Sequence, residues 1–281
     1  MVQSSPDGVE SRPQSMEGEQ EERLLASPHD SGSERIVHCN AEEKNSRFPP
    51  NSVHTCKYNA LTFLPRNLFE QFHRVAYVYF LVLIVLNQLP WLNVFSRTAS
   101  AFPLLSVLAA TAIKDAYEDI RRRRSDRVEN HRSVQVLRGA GYVRVQWKDL
   151  GVGSQVWLQD GDLIPADLVV IATSEEGGVC YLETHNLDGE SNLKPRSAPS
   201  DTNLAFGGSC SVVEGAIVCG EPERDIYSFT GYFDRGGGRP TVPLGPRAML
   251  PRGCVLRNTR WAVGVVAYTG HETKAVLNSS G

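Results

Sequence analysis

Residues 182–194 read LETHNLDGESNLK and set Asp188, Gly189, Glu190 and Ser191 side by side. A glycine next to a carboxylate gives the backbone conformations that an L side chain resists, so a loop here can carry Glu190 close to another group. An isolated Asp-Gly-Glu triplet is ordinarily an exposed β-turn with solvated acids, so its chemistry depends on its surroundings. Three further signatures share the chain: DGDLIPADLVV at 160–170, RGCVLRNT at 252–259 and YTGHETKAVLN at 268–278. Taken alone, the first is a hairpin in which a polar turn leads through Pro165 into a buried strand, with Asp167 a satisfied turn carboxylate. The cysteines Cys39, Cys56, Cys180, Cys210, Cys219 and Cys254 form no CxxC pair. No metal site is expected from them, and reduced thiols place the soluble part in the cytosol.

These signatures need elements to carry them. Residues 75–92, VAYVYFLVLIVLNQLPWL, contain no charged side chain. That length matches what a helix needs to cross the hydrocarbon core of a bilayer, and a buried soluble helix is the rival reading. The flanks favour a span: Arg66, His73 and Arg74 precede it, and Asn87, Gln88, Pro90 and Trp91 form a polar, aromatic exit. A second apolar run from Ala99 to Ile113 is expected to form a second span over 98–119 and to continue into water as a helix. Four arginines, Arg121 to Arg124, follow it, whereas the connection between the runs carries only Arg97. The positive-inside rule then puts both outer ends of the hairpin in the cytosol. The arginines also fit a nucleic-acid or anionic-lipid patch, but topogenic and headgroup contact is the commoner use beside a span. A net charge of -3 gives no general reason to expect nucleic-acid binding.

Composition divides the rest. Residues 1–34 are rich in Ser, Gly, Pro and acids and poor in core-forming side chains, so a disordered tail is expected there. No cleavable signal peptide is legible at Met1. A cytosolic pre-membrane segment spans 35–74, in which 56–59 reads as a short strand before an amphipathic approach segment. From Arg132 the pattern turns to short β-favouring runs: SVQVLR, YVRVQW, QVWLQ and LVVIAT, separated by turn residues. Further strands are expected at 179–183, 211–213, 254–257 and 263–268, with loops at 201–208 and 235–246. The fold expected is a membrane α-helical hairpin, a cytosolic β-rich domain over 120–281 and a disordered N-terminal tail.

In this order, after a membrane hairpin, the four signatures resemble the actuator domain of P-type ATPases. LDGESNLK, RGCVLRNT and GHETK together resemble the type IV branch, the phospholipid flippases, rather than the cation pumps, whose corresponding loop usually begins with Thr in place of Asp188. KYNALTFLPRNLFEQFHRVAYVYF and IKDAYEDIRRRRSDR are similar to the first and second flippase helices. The resemblance runs from about Ile36 to Gly281, and Ser191 fits the subgroup with DGES in this loop. It departs at Pro251, where an aliphatic residue is usual, and at Gly236 to Gly238.

The resemblance implies that Glu190 orients a water for hydrolysis of an aspartyl phosphate, with Asp188, Gly189 and Ser191 shaping its loop. A carboxylate suits that task because it can accept a proton from the attacking water and hold it in line. It also implies headgroup contact by Asn87 and Gln88, for which an interfacial helix end is an equal reading. ATP and Mg²⁺ would be bound outside this chain. A glycosylated two-span β-subunit would be the partner, and the plasma membrane or endosomal, Golgi or ER membranes the location. The phosphorylated DKTGT sequence and the nucleotide-binding domain are not in the chain, which stops near where a third span would be approached. Two alternatives stay open: a truncated, non-catalytic membrane-anchored form that binds a partner, and a cation-transporting P-type ATPase.

Overall fold

The computed structural model describes residues 34–56, 62–87, 89, 101–205 and 211–279. The tail expected at 1–34, apart from Glu34, lies outside the described residues, as do Gln88 and most of the strand expected at 56–59.

Three helices form the first part. α1 (Phe63–Phe72) and α2 (Val75–Leu86) meet at a bend of 89°, and α3 is Phe102–Asn130. α2 is apolar on every side, VAYVYFLVLIVL, and most of its side chains are exposed. A helix that is apolar all round and largely exposed is matched to an apolar solvent rather than to water. No single described helix is long and apolar enough to cross a membrane, but α1 and α2 together satisfy that requirement as a bent pair.

In α1 the polar face is the one turned inward: Asn67 and Gln71 are buried, while Leu64, Leu68 and Phe69 are exposed. The inward side chains bond onward, with Gln71 Nε2 donating to Asn67 and Asn67 Nδ2 donating to Asp115 of α3, each at 2.6 Å.

α3 does not stop where the β-rich domain was expected to begin, at residue 120. Its charged half is sustained by pairs one turn apart, Lys114 with Glu118, Glu118 with Arg122 and Asp119 with Arg123. The first strand after it starts at Ser133.

Among the described residues the strands are β1 (Arg35–His38), β2 (Ser133–Arg138), β3 (Gly141–Gln146), β4 (Gln155–Gln159), β5 (Asp167–Thr173), β6 (Val179–Glu183), β7 (Leu193–Ser197), β8 (Ala216–Cys219), β9 (Gly231–Asp234), β10 (Val242–Leu244), β11 (Met249–Leu250), β12 (Val255–Arg257) and β13 (Trp261–Tyr268). They build sheets in the orders β1-β8-β9-β10, β11-β5-β13-β4-β2-β3 and β12-β6-β7. All seven residues of β5 are buried, so this strand is the spine of the core, packed against Val265, Val266 and Ala267 of β13 and Met249 and Leu250 of β11.

Three sequence expectations are corrected. Residues 211–213 form no strand, because they run as a connection whose backbone is held by the buried Gln155: Val213 N donates to Gln155 Oε1 and Gln155 Nε2 donates to Ser211 O. The loop expected at 201–208 opens with a helix, Ser200–Ala205, and the one at 235–246 contains β10.

The 35–56 stretch is part of the β-rich domain rather than a separate connector. β1 pairs with β8 from Arg35 opposite Cys219 to His38 opposite Ala216. Beyond it, Asn51 is fully buried and donates to Trp147 O and Pro165 O while its oxygen accepts from Arg252 and Gly270 N. Asn130, at the end of α3, brackets Val53 by bonding both its N–H and its carbonyl at 2.9 Å. Asp126 accepts from Thr55 N and Oγ1 at 2.7 Å. The last turns of the long helix are therefore fastened to the first residues of the domain.

Candidate functional site

The Glu190 loop is the connection between antiparallel β6 and β7, in which Glu183 faces Leu193. β12 covers the other edge of β6, with Arg257 Nε on Glu183 at 2.7 Å. After β6 the chain makes one helical turn, His185–Asp188, and leaves it through Gly189 at φ +75, where the Gly189 N–H donates to His185 O. This left-handed cap is favourable for glycine and costly for an L side chain, which is why the turn ends at that residue. Glu190 follows at the tip with its side chain 56% exposed. Asn186 Nδ2 donates to Gly253 O, tying the turn to the RGC signature behind it.

Asp188 is the pivot. Its carboxylate accepts from Thr184 Oγ1 and from the Glu190 N–H at 2.9 Å, and from Lys194 Nζ at 2.6 Å. Lys194 also reaches Glu190 Oε2 at 3.0 Å and donates to Tyr227 Oη at 2.8 Å. Partial burial pushes the Asp188 carboxyl up. The hydrogen bonds from Lys194, the Glu190 amide and Thr184, with the Lys194 charge, outweigh it and hold the group at about 2. The same hydrogen bond from the other side, together with that to Tyr227, holds Lys194 above its ordinary value. Asp188 and Lys194 thus stay charged over the whole physiological range.

The other three signatures meet in the core beneath. Asp167 Oδ1 accepts from Arg252 N and Oδ2 from Lys274 N, both at 2.8 Å, so one buried carboxylate joins DGDLIPADLVV, RGCVLRNT and YTGHETKAVLN. Burial pushes Asp167 up to about 6 against the pull of those two amides and the Lys274 and Arg252 charges. Glu272 of the last signature holds Arg35 of β1 at 2.7 Å.

The structure therefore brings Asp188, Gly189 and Glu190 together, with Ser191 next along the exposed tip. Asn87 sits apart, buried at the C-terminal end of α2 with its N–H on Leu83 O. Sequence reasoning passed over Lys194 and Tyr227. Lys194 was within reach, because it lies four residues after Glu190 in the same signature, but Tyr227 gave no local signal.

Among the described residues, no group of three or more His, Cys, Asp or Glu side chains is placed to hold a metal ion. The two loop carboxylates share Lys194 instead, so these residues do not fit Mg²⁺, which takes an oxygen-rich octahedral shell.

The domain carrying this loop matches the P-type ATPase actuator domain over residues 129–231. Ahead of it, residues 37–101 match the phospholipid-translocating ATPase N-terminal region. The chain is 50% identical over 250 residues to Phospholipid-transporting ATPase 1 of Arabidopsis thaliana, covering 88% of this chain and 21% of that protein. It is 41% identical over 251 residues to human Phospholipid-transporting ATPase VB, covering 88% and 17%, and 40% identical over 234 residues to Phospholipid-transporting ATPase tat-1 of Caenorhabditis elegans, covering 83% and 20%. The chain thus spans about a fifth of the length of these curated relatives. Its two matched stretches are thus similar to the N-terminal region and the actuator domain of phospholipid-translocating P-type ATPases. P-type ATPases use ATP and Mg²⁺.

Proposed function

We propose that this chain supplies the first membrane hairpin and the actuator loop of an ATP-driven flippase that moves phospholipid from the outer to the cytosolic leaflet, and that Glu190 orients the water that hydrolyses the aspartyl phosphate. The observation that carries the reading is the Glu190 carboxylate itself, half exposed at the tip of a hairpin whose base is fixed by Asp188 and Lys194. An exposed acid on a fixed base can be delivered to a second site without losing its orientation, which is what positioning a water requires.

Ser191 assigns the protein to the subgroup with DGES. The first span is residues 75–92, in which α2 is followed by an exit at 87–92, and the second span occupies the apolar first half of α3 within 98–119. The two ends of the hairpin and the domain that follows are cytosolic, in the plasma membrane or an endosomal, Golgi or ER membrane. Asn87 and Gln88 contact the lipid headgroup, and a glycosylated two-span β-subunit accompanies the assembly. Support for the span comes from the apolar, exposed surface of α2. Support for a cytosolic domain comes from its unpaired thiols, Cys39, Cys56, Cys180, Cys219 and Cys254.

The test is Glu190→Gln in the complete ATPase. Loss of a positioned general base costs on the order of 100-fold or more, so phosphoenzyme should accumulate and decay slowly while its formation from ATP is unchanged. Normal turnover of that variant would remove Glu190 from the mechanism.

A further inference from the structure

The Lys194 ammonium has three N–H donors and three acceptors around it: Asp188 Oδ2 at 2.6 Å, Tyr227 Oη at 2.8 Å and Glu190 Oε2 at 3.0 Å. Two of the acceptors belong to the loop. The third comes from the connection between β8 and β9, and its hydroxyl turns back to Asp188 Oδ2 at 3.4 Å. The Lys194 ammonium also lies 4.8 Å from the centre of the Tyr227 ring.

Tyr227 is itself held in place. Its N–H donates to Asp225 Oδ1 at 2.9 Å, and the carbonyls of Glu223 and Asp225 accept from Lys274 Nζ. Lys274 is the lysine of GHETK, buried to 2% exposure, with its N–H on Asp167. A continuous line of charged or polar contacts thus runs from the core carboxylate through Lys274, the 223–225 backbone, Tyr227 and Lys194 to the carboxylate at the loop tip. The non-covalent links are hydrogen bonds or ion pairs, and they are joined through the Lys274 and Tyr227 side chains and the 225–227 backbone.

We propose that Tyr227, presented by Lys274, is a positioning residue for Glu190: it fixes the Lys194 ammonium, which fixes the orientation of the loop that carries Glu190. The inference rests on the assignment of Glu190 to dephosphorylation, and it gives the GHETK lysine a task that its own burial does not explain. Tyr227 contacts Lys194 and Asp188 in the loop and reaches Glu190 only through Lys194. Its effect is on how narrowly the tip is aimed, and a misplacement of about 1 Å can cost up to about 100-fold in rate.

Two measurements test it. In the 281-residue chain in detergent, amide hydrogen exchange at Gly189 and Glu190 should speed up 5- to 10-fold in Tyr227→Phe and further in Lys194→Met. The amides of β6 and β7 should stay as slow as in the unsubstituted chain. In the complete ATPase, phosphoenzyme decay should slow by roughly 3- to 10-fold in Tyr227→Phe, lowering kcat with KM for lipid unchanged. Lys194→Arg should recover part of the loss caused by Lys194→Met. Unchanged loop exchange in a folded Tyr227→Phe chain would overturn the proposal, and so would normal phosphoenzyme decay in that variant when Glu190→Gln traps the intermediate. Should Glu190→Gln fail to trap it, the dephosphorylation role falls, while the exchange result still decides whether Tyr227 braces the loop.

Discussion

The Arg252 guanidinium forks the Glu129 carboxylate, with Nη2 at 2.7 Å and Nε at 3.1 Å from the same oxygen, and so joins the RGC turn of the β-rich domain to the last turn of α3. Arg252 is 2% exposed, lies 5.6 Å from the centre of the Trp147 ring and also donates to Asn51 Oδ1 at 2.8 Å. The domain is therefore held to the helix by a charge-assisted contact in addition to the hydrogen bonds of Asn130 and Asp126.

Replacing Arg252 with Met is expected to cost about 1–3 kcal/mol, because Asn51 Oδ1 keeps only the Gly270 N–H while the Asn51 carbonyl and the part-exposed Glu129 lose their guanidinium donor. Chemical denaturation of the detergent-solubilised chain measures this. A loss below the scatter of ordinary surface variants would mean that the contact holds nothing together.

Asn51→Ala should be about as damaging, at about 2–4 kcal/mol, although the side chain is small. Two buried carbonyls, the Arg252 guanidinium and the Gly270 amide all lose a partner at once. Thermal unfolding of this variant beside Asn51→Asp separates the lost acceptor from the lost donor, since the carboxylate keeps the first.

Gly189→Ala meets no steric obstacle, because nothing lies within 4 Å of where its Cβ would stand. The cost is conformational, about 1 kcal/mol for an L residue at φ +75. Stability should fall by that amount, whereas phosphoenzyme decay in the complete ATPase should slow far more. Equal small effects on both would show that the left-handed cap does not aim the loop.

The Asp188 carboxyl, held at about 2 in the folded chain, sets a pH signature. A depressed carboxyl adds stability that is fully present above its ordinary value of about 3.8 and is lost as the pH falls through about 2. The stability gap between the unsubstituted chain and Lys194→Met should therefore be constant from neutral pH to about 5 and close as the pH approaches 2. A gap that persists at that acidity would place the Lys194 contribution elsewhere than on Asp188.

Local pattern made much of this molecule readable in advance. The runs SVQVLR, QVWLQ and LVVIAT alternate or stay apolar strongly enough to be strands whatever surrounds them, and they became β2, β4 and most of β5. LDGESNLK announced its loop because glycine and carboxylate stand next to each other in the chain. What stayed hidden was set by distant partners. β10 is three residues long and contains Pro243, so only its pairing with β9 makes it a strand. Residues 211–213 have strand-like side chains, yet Gln155 captures their backbone first. Tyr227 sits in a polar connection, and its contact with Lys194 spans a sequence gap of 33 positions. α3 outran its expected end because side-chain pairing, not hydropathy, sustains its second half.

The pairing of β1 with β8 also orders the birth of the protein. Residues 35–38 leave the ribosome before the apolar helices, but their neighbours at 216–219 emerge only after both of these have been made. Until then β1 has unsatisfied backbone groups and an edge open to wrong pairing, the slow and exposed step typical of non-local strands. Synthesis that pauses between the helices and β8 would leave this strand waiting, and a chaperone that shields residues 35–56 would raise the yield of correctly assembled protein.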